Sequence, residues 1–250
     1  MTNSQSSPIA ALVGVHKKFG AITAVESFDL ELFPNEVVAL VGDNGAGKST
    51  LIKTIAGIHA PTRGHIELHG EKVSLKGPKD ARAAGIEVVY QDLALATLQP
   101  VYMNLFLGRE LVRKPWGLIN KKEMQRQTQA LVDELDVRVP SVSAPVNTLS
   151  GGQRQAIAIC RATHWASSIV LLDEPTAALG VAETKKVEEL VIRLKNRGAA
   201  VLLVSHNMDQ VFRLADRVVV LRRGKQVGVK DIRSITQNEL VAMITGVADE

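Results

Sequence analysis

Residues 42 to 50 read Gly-Asp-Asn-Gly-Ala-Gly-Lys-Ser-Thr, set between the apolar run Val37 to Val41 and a helical pattern from Leu51 to Ile58. That junction predicts a buried strand, a tight backbone turn and a helix start. Gly42, Gly45 and Gly47 can adopt backbone angles closed to other residues, so successive N–H groups through Asp43, Asn44 and Ala46 can turn inward on one anion. The following helix opens with unpaired N–H groups and its positive dipole end at the same point. Lys48 supplies a point charge suited to the β- and γ-phosphates, Ser49 a hydroxyl suited to Mg²⁺, and Thr50 closes the segment. The implied ligand is a nucleoside triphosphate. A chance glycine turn with a surface lysine is the competing reading, but it has no reason to fall between a buried strand and a helix.

The 250 residues are 46% hydrophobic, enough for one large domain or one domain with a sizeable insert. The longest apolar runs, such as Ala199 to Val204, fall well short of the roughly 20 residues that span a bilayer. Met1 to Pro8 is polar, without the basic flank and apolar stretch of a secretory leader, so a cytoplasmic location is expected. A single cysteine, Cys160, excludes an internal disulfide and lies in the apolar run Ala156 to Ala162, where buried filler is the expectation. The net charge of +4 is spread over pairs such as Lys17-Lys18 and Arg222-Arg223, and aromatic content is 4%. Scattered charge with few stacking residues argues against a nucleic-acid groove, so no nucleic-acid partner is expected.

Continuous Val, Ile and Leu runs at 37–41, 86–90, 169–172, 199–204 and 217–221 predict strands buried on both faces, hence a mainly parallel sheet. Val25 to Leu32, Ile66 to Leu68 and Val73 to Leu75 alternate instead, as half-exposed antiparallel strands do. Pro78 and Gly85 bracket a short helix, Gly198 follows one that starts near Ala182, and Thr236-Gln237-Asn238-Glu239 is a capping box. From about 93 to 163 the texture is helical, with four prolines and no strong strand, which reads as a helical insert. Within it Met124, Thr128, Leu131 and Leu135 share one helix face. Trp116 and Trp165 are expected to be packing residues.

Two further segments carry chemistry. Ile169 to Pro175 is an apolar strand ending in Asp173 and Glu174; beside a triphosphate the first acid suits the Mg²⁺ shell and the second a water aimed at the γ-phosphate. Leu149-Ser150-Gly151-Gly152-Gln153 precedes a helical run, so Ser150 can cap the helix and the glycines expose another set of N–H donors. Together, GDNGAGKST, LSGGQ and LLDEP resemble the motifs of the ATP-binding-cassette ATPases, a likeness extending over nearly the whole chain.

That resemblance implies an α/β fold: a P-loop NTPase core with a mainly parallel sheet, an antiparallel β subdomain and an inserted helical subdomain. The single domain would cover 8–246, with core segments 8–92 and 164–246 and the insert at about 93–163. It implies ATP and Mg²⁺ as ligands, with Gln91 reaching the metal and the attacking water, Glu174 as general base, Asp173 in the metal shell and His206 near the γ-phosphate. Phe19 takes the place of the adenine-stacking aromatic. Read from the residues alone, Gln91 is a polar strand end, His206 a residue at a helix start and Phe19 a core aromatic. The other five histidines show no metal-ligand spacing.

In this family the signature segment, here Ser150 to Gln153, closes over nucleotide held by a second cassette. The expected partners are therefore a second ATPase subunit, an integral membrane permease and, indirectly, an extracytoplasmic solute-binding protein. The segment Thr176-Ala177-Ala178-Leu179-Gly180 departs from the common pattern, which ends in aspartate. Together with Asn104 to Glu110 and Ser205 to Met208, it resembles the carbohydrate-importer branch. The expected role is the ATP-hydrolysing subunit of a simple-sugar importer on the cytoplasmic face of the membrane. A soluble cassette ATPase acting on nucleic acid or on assembly of another complex is the alternative.

Overall fold

The computed structural model describes residues 7–165 and 168–246. Residues 1–6, most of the stretch read as lacking a leader, lie outside the described residues. So do 166 and 167, near the expected return from insert to core.

The chain begins with two long antiparallel strands, β1 (Ala10–Phe19) and β2 (Ile22–Leu32), followed by β3 (Glu36–Val41) and helix α1 (Lys48–Ile55). β4 (Arg63–Leu68) pairs with β1 and β5 (Glu71–Val73) with β4, both antiparallel. In β2 the buried positions are Val25, Phe28, Leu30 and Leu32. Strict alternation breaks between Val25 and Phe28, where Ser27 turns to φ 47° and the register with β1 slips, as a bulge requires.

Helix α2 (Pro78–Ala83) leads to β6 (Ile86–Val89), and Gly85 between them sits at φ 82°. The helical stretch holds α3 (Val101–Leu105), a two-residue hairpin of β7 (Val112–Arg113) and β8 (Leu118–Ile119), then α4 (Lys121–Glu134) and α5 (Gly151–Trp165). The expected face of α4 is buried, Met124 and Thr128 completely. Trp165 packs as expected, its ring against Phe106 and its indole N–H donating to Leu105 O at 2.7 Å. Trp116 does not. It stands at the tip between β7 and β8 with 80% of its surface exposed, because the hairpin projects from the core and nothing described covers it.

The chain closes with β9 (Ile169–Asp173), α6 (Val181–Asn196), β10 (Ala200–Val204), α7 (Met208–Leu214), β11 (Arg217–Arg222), β12 (Lys225–Asp231) and α8 (Gln237–Thr245). The strands lie in the order β5-β4-β1-β2-β12-β11-β3-β10-β9-β6. From β11 to β6 the pairs are parallel, and a single parallel bridge between Lys225 and Glu26 joins the antiparallel half. Successive residues of each parallel strand serve opposite faces. Val37, Val170, Leu172, Val201 and Leu203 pack under α3 to α6, while Val38, Leu40, Leu171, Leu202 and Val204 pack against Leu51, Ile52 and Ile55 of α1. A fully buried Leu or Ile side chain contributes about 1.5–3 kcal/mol, so both faces hold the strand ends rigidly. Cys160 is wholly buried, and its thiol is pushed up to about 12 by burial.

Candidate functional site

Parallel order decides which loops meet. β3, β10, β9 and β6 are neighbours pointing the same way, so their C-terminal ends share one edge of the sheet. In open α/β sheets that edge is where ligands bind. β3 delivers Gly42 to Thr50, β10 delivers Ser205 and His206, β9 delivers Asp173 and Glu174, and β6 delivers Gln91. Leu40 is level with Val204, Val204 with Asp173, and Leu172 with Val89, so the four loops leave the sheet at nearly one height.

The glycine loop has the conformation its composition predicts. Gly42, Gly45 and Gly47 have φ of 154°, 76° and 109°. A β-carbon on Gly42 would lie 2.0 Å from Leu221 O, and one on Gly47 2.4 Å from Ala24 O, so close backbone approach as well as chirality selects glycine. Gly47 caps α1 without any side chain on the first-turn N–H groups, which leaves the helix start open to an anion. Asp43, Asn44 and Ser49 are exposed, while Ala46 is buried. Lys48 lies buried against its own loop. It is 9% exposed, and its ammonium donates to Gly42 O at 2.6 Å and Asp43 O at 2.9 Å. Burial holds its pKa below the usual lysine value, against the opposing pull of Glu174, Asp43 and Asp173.

Across from it, Asp173 ends β9 half-buried, and its carboxyl is pushed up first by burial and then by Glu174. Glu174 sits at φ 49°, a strained angle for a side-chain-bearing residue, and its N–H donates to Val204 O at 3.0 Å. Its carboxylate lies 3.3 Å from His206 Nδ1. A carboxylate and an imidazole so placed can orient a water and pass a proton. Two adjacent acids with one facing lysine leave a local excess of negative charge and oxygen ligands, which is what a hard divalent cation completed by phosphate oxygens requires.

Supporting residues were not read from the sequence. Gln210, 1% exposed, accepts from the Ser205 hydroxyl at 2.8 Å and donates to Thr176 Oγ1 at 2.9 Å, tying the His206 loop to the Glu174 turn. Its own N–H donates to Asn207 Oδ1 at 3.1 Å, so Asn207-x-x-Gln210 has a capping spacing that could have drawn notice. Arg161 donates to Leu93 O and Ala94 O, fixing the loop after Gln91 to α5; Gln91 itself is exposed. Asn104, fully buried, braces the same loop through Ala96 and Gln99.

Two expected members have their described contacts elsewhere. The described contacts of Phe19 are with His59, edge to face at 5.1 Å, and with Lys17. Ser150 to Gln153 open α5, where Ser150 Oγ accepts from Gln153 N–H at 3.3 Å and Gln153 Oε1 accepts from Ser150 N–H at 2.9 Å. Their neighbour is the start of α6, not the glycine loop. Gly152 N–H donates to Glu183 at 3.3 Å. The Ser150 hydroxyl and this N–H, with lesser help from Gly180 N–H and Lys186, hold the Glu183 carboxyl below its usual range.

A doubly wound sheet with a glycine cradle, a buried lysine and paired acids at its C-terminal edge defines a nucleoside-triphosphate-binding protein of the P-loop kind. Residues 25–177 match the ABC transporter family, and the chain belongs to that family. It is 47% identical over 234 residues to the xylose/arabinose import ATP-binding protein XylG of Sulfolobus acidocaldarius, covering 94% of this chain and 92% of that one. It is 42% identical over 246 residues to the fructose import ATP-binding protein FrcA of Rhizobium meliloti, covering 96% and 94%. Among solved structures, a dimeric post-hydrolysis ATP-binding cassette bound to ADP and Pi matches with a TM-score of 0.75 and 25% identity, over 90% of this chain and 100% of that one. Neither sequence relative is named for work on nucleic acid. Among the described residues no helix is long and apolar enough to cross a membrane.

Proposed function

We propose that this chain is the ATP-hydrolysing subunit of a sugar importer, peripheral to the cytoplasmic face of a membrane and docked on an integral permease. The observation that carries this reading is the shared sheet edge, where Lys48, Asp173, Glu174 and His206 converge beside the glycine loop. The near full-length likeness to two sugar-import ATPases supplies the solute class. An extracytoplasmic binding protein would present the sugar, which this chain never touches.

In this account the loop N–H groups from Gly42 to Thr50 and the α1 start hold the α- and β-phosphates, and Lys48 leaves its loop carbonyls for the terminal phosphate. Ser49, Asp173 and Gln91 would hold Mg²⁺, which supplies charge neutralisation across the β- and γ-phosphates. Glu174 accepts the proton of the attacking water, a role typically worth about 10² to 10⁴ in rate. His206, held against Glu174 and the Gln210 network, senses the terminal phosphate. Phe19 stacks on adenine. The core is 8–92 with 164–246, the helical subdomain is about 93–163, and Gln91, just after β6 of the core, senses the permease.

One chain carries one glycine loop and one signature segment, set apart from each other, so Ser150 to Gln153 would complete the site of a second copy. ATP then joins two cassettes and hydrolysis releases them. The test is isolation of the membrane complex followed by ATP-driven uptake in vesicles. The reading expects an integral permease to co-purify and a simple sugar to be accumulated only with hydrolysable ATP. ATPase activity stimulated by duplex nucleic acid, with no permease bound, would contradict it.

A further inference from the structure

The donors at the start of α5 are already engaged within the chain. Gly152 N–H donates to the carboxylate of Glu183 at 3.3 Å, and a β-carbon on Gly152 would lie 2.8 Å from Glu183 Cβ. Glu183 is the third residue of α6, so the helix fixes its backbone one turn beyond Gly180. The glycine there brings no side-chain cap of its own. Glu183 therefore places a negative charge at the spot where the helix dipole of α5 and its first-turn N–H groups favour an anion.

We propose that Glu183 is an internal stand-in for phosphate: it occupies the signature-segment donors until the terminal phosphate of a nucleotide on a second copy displaces it. The inference rests on the reading that this segment faces a partner's nucleotide. The Gly152 N–H cannot serve two anions, and a carboxylate left in place would meet the incoming phosphate at contact distance. A terminal phosphate carries more charge and three acceptor oxygens, so it wins the exchange when correctly positioned. A cleft of about 540 Å³ adjoins Glu183, and Arg138 and Lys186 on its wall can receive the displaced carboxylate. The contact sets a threshold against closure on an empty or diphosphate-bearing partner.

The experiment measures the ATP concentration that half-assembles the dimer, in a Glu174→Gln background, for Glu183→Ala and Glu183→Gln. A parallel titration with fluorescent ADP reads nucleotide affinity of the single chain. Removal of one charge-assisted competitor predicts a roughly tenfold lower half-assembly concentration for Glu183→Ala and a smaller drop for Glu183→Gln, with ADP affinity unchanged. An unchanged or raised half-assembly concentration in both variants overturns the proposal and makes Glu183 a prop of the loop. Ser150→Arg separates the underlying reading: it should abolish the dimer while sparing ADP binding. If the dimer survives Ser150→Arg, the facing-segment reading fails and the Glu183 proposal with it.

Discussion

Gln210→Leu removes a buried side chain that joins the loops of His206 and Glu174 while keeping a similar volume. Gln210 is 1% exposed and makes two side-chain hydrogen bonds, to Ser205 at 2.8 Å and Thr176 at 2.9 Å. Ser205 is itself 4% exposed, so its hydroxyl hydrogen is stranded, at a cost of about 1–3 kcal/mol. Thr176 is half-buried and can turn to water, adding little. The helix cap survives, because the bond to Asn207 comes from the backbone N–H of residue 210. A net loss of about 2 kcal/mol corresponds to a Tm roughly 4–8 °C lower in a chain of this size. The functional consequence is separable: with the His206 loop untied, kcat should fall while KM for ATP changes little. Thermal unfolding and steady-state phosphate release measure the two arms. A variant with parental Tm and parental kcat would refute the claim that this network holds the site.

Three other outcomes follow from the geometry. Gly47→Ala forces a β-carbon within 2.4 Å of Ala24 O at φ 109°, with backbone strain of about 1–3 kcal/mol, and calorimetric titration should detect no ADP binding. Asp173→Asn should raise the Tm of the nucleotide-free protein at pH 7. Burial and Glu174 raise the native pKa of Asp173 above the unfolded 3.8, so its ionisation costs stability as pH rises past that value; the gain should vanish as pH falls to it, while Mg²⁺-dependent hydrolysis is lost at every pH. Trp116→Ala should leave the unfolding free energy within about 0.5 kcal/mol of parental, read by denaturant titration, since the side chain is 80% exposed.

Much of the core was legible because β3, β9, β10 and β11 lie between helices on a parallel sheet and so appear as unbroken apolar runs. β1 was not. Gly14 at φ 53° and three register shifts break its alternation, and its strand character comes from pairing with β2, the next strand, and with β4, a partner far along the chain. β12 was missed for a related reason: its residues are mostly exposed, and only Arg223 and Gly224, both at positive φ, mark the hairpin that creates it. Trp116 misled because aromatic size argues for burial unless the local strand pair points away from the core.

The site divides in the same way. Gly42 to Thr50, Asp173 and Glu174 announce themselves because each lies in a contiguous segment whose local conformation its own composition dictates. Glu183 and Arg161 do not, since each bonds backbone remote in sequence, 31 residues away for Glu183 and 67 or 68 for Arg161. The contacts of Lys48 with Gly42 O and Asp43 O are likewise not legible in the sequence, because they follow from how the loop folds back on its own lysine.

In the proposed cycle two cassettes close around ATP and part when Glu174 promotes its cleavage. Sedimentation velocity of Glu174→Gln in Mg²⁺ with ATP, and again with ADP, tests that cycle most directly. A dimer with ATP and a monomer with ADP is the predicted result. A single species of unchanged size with both nucleotides would contradict it.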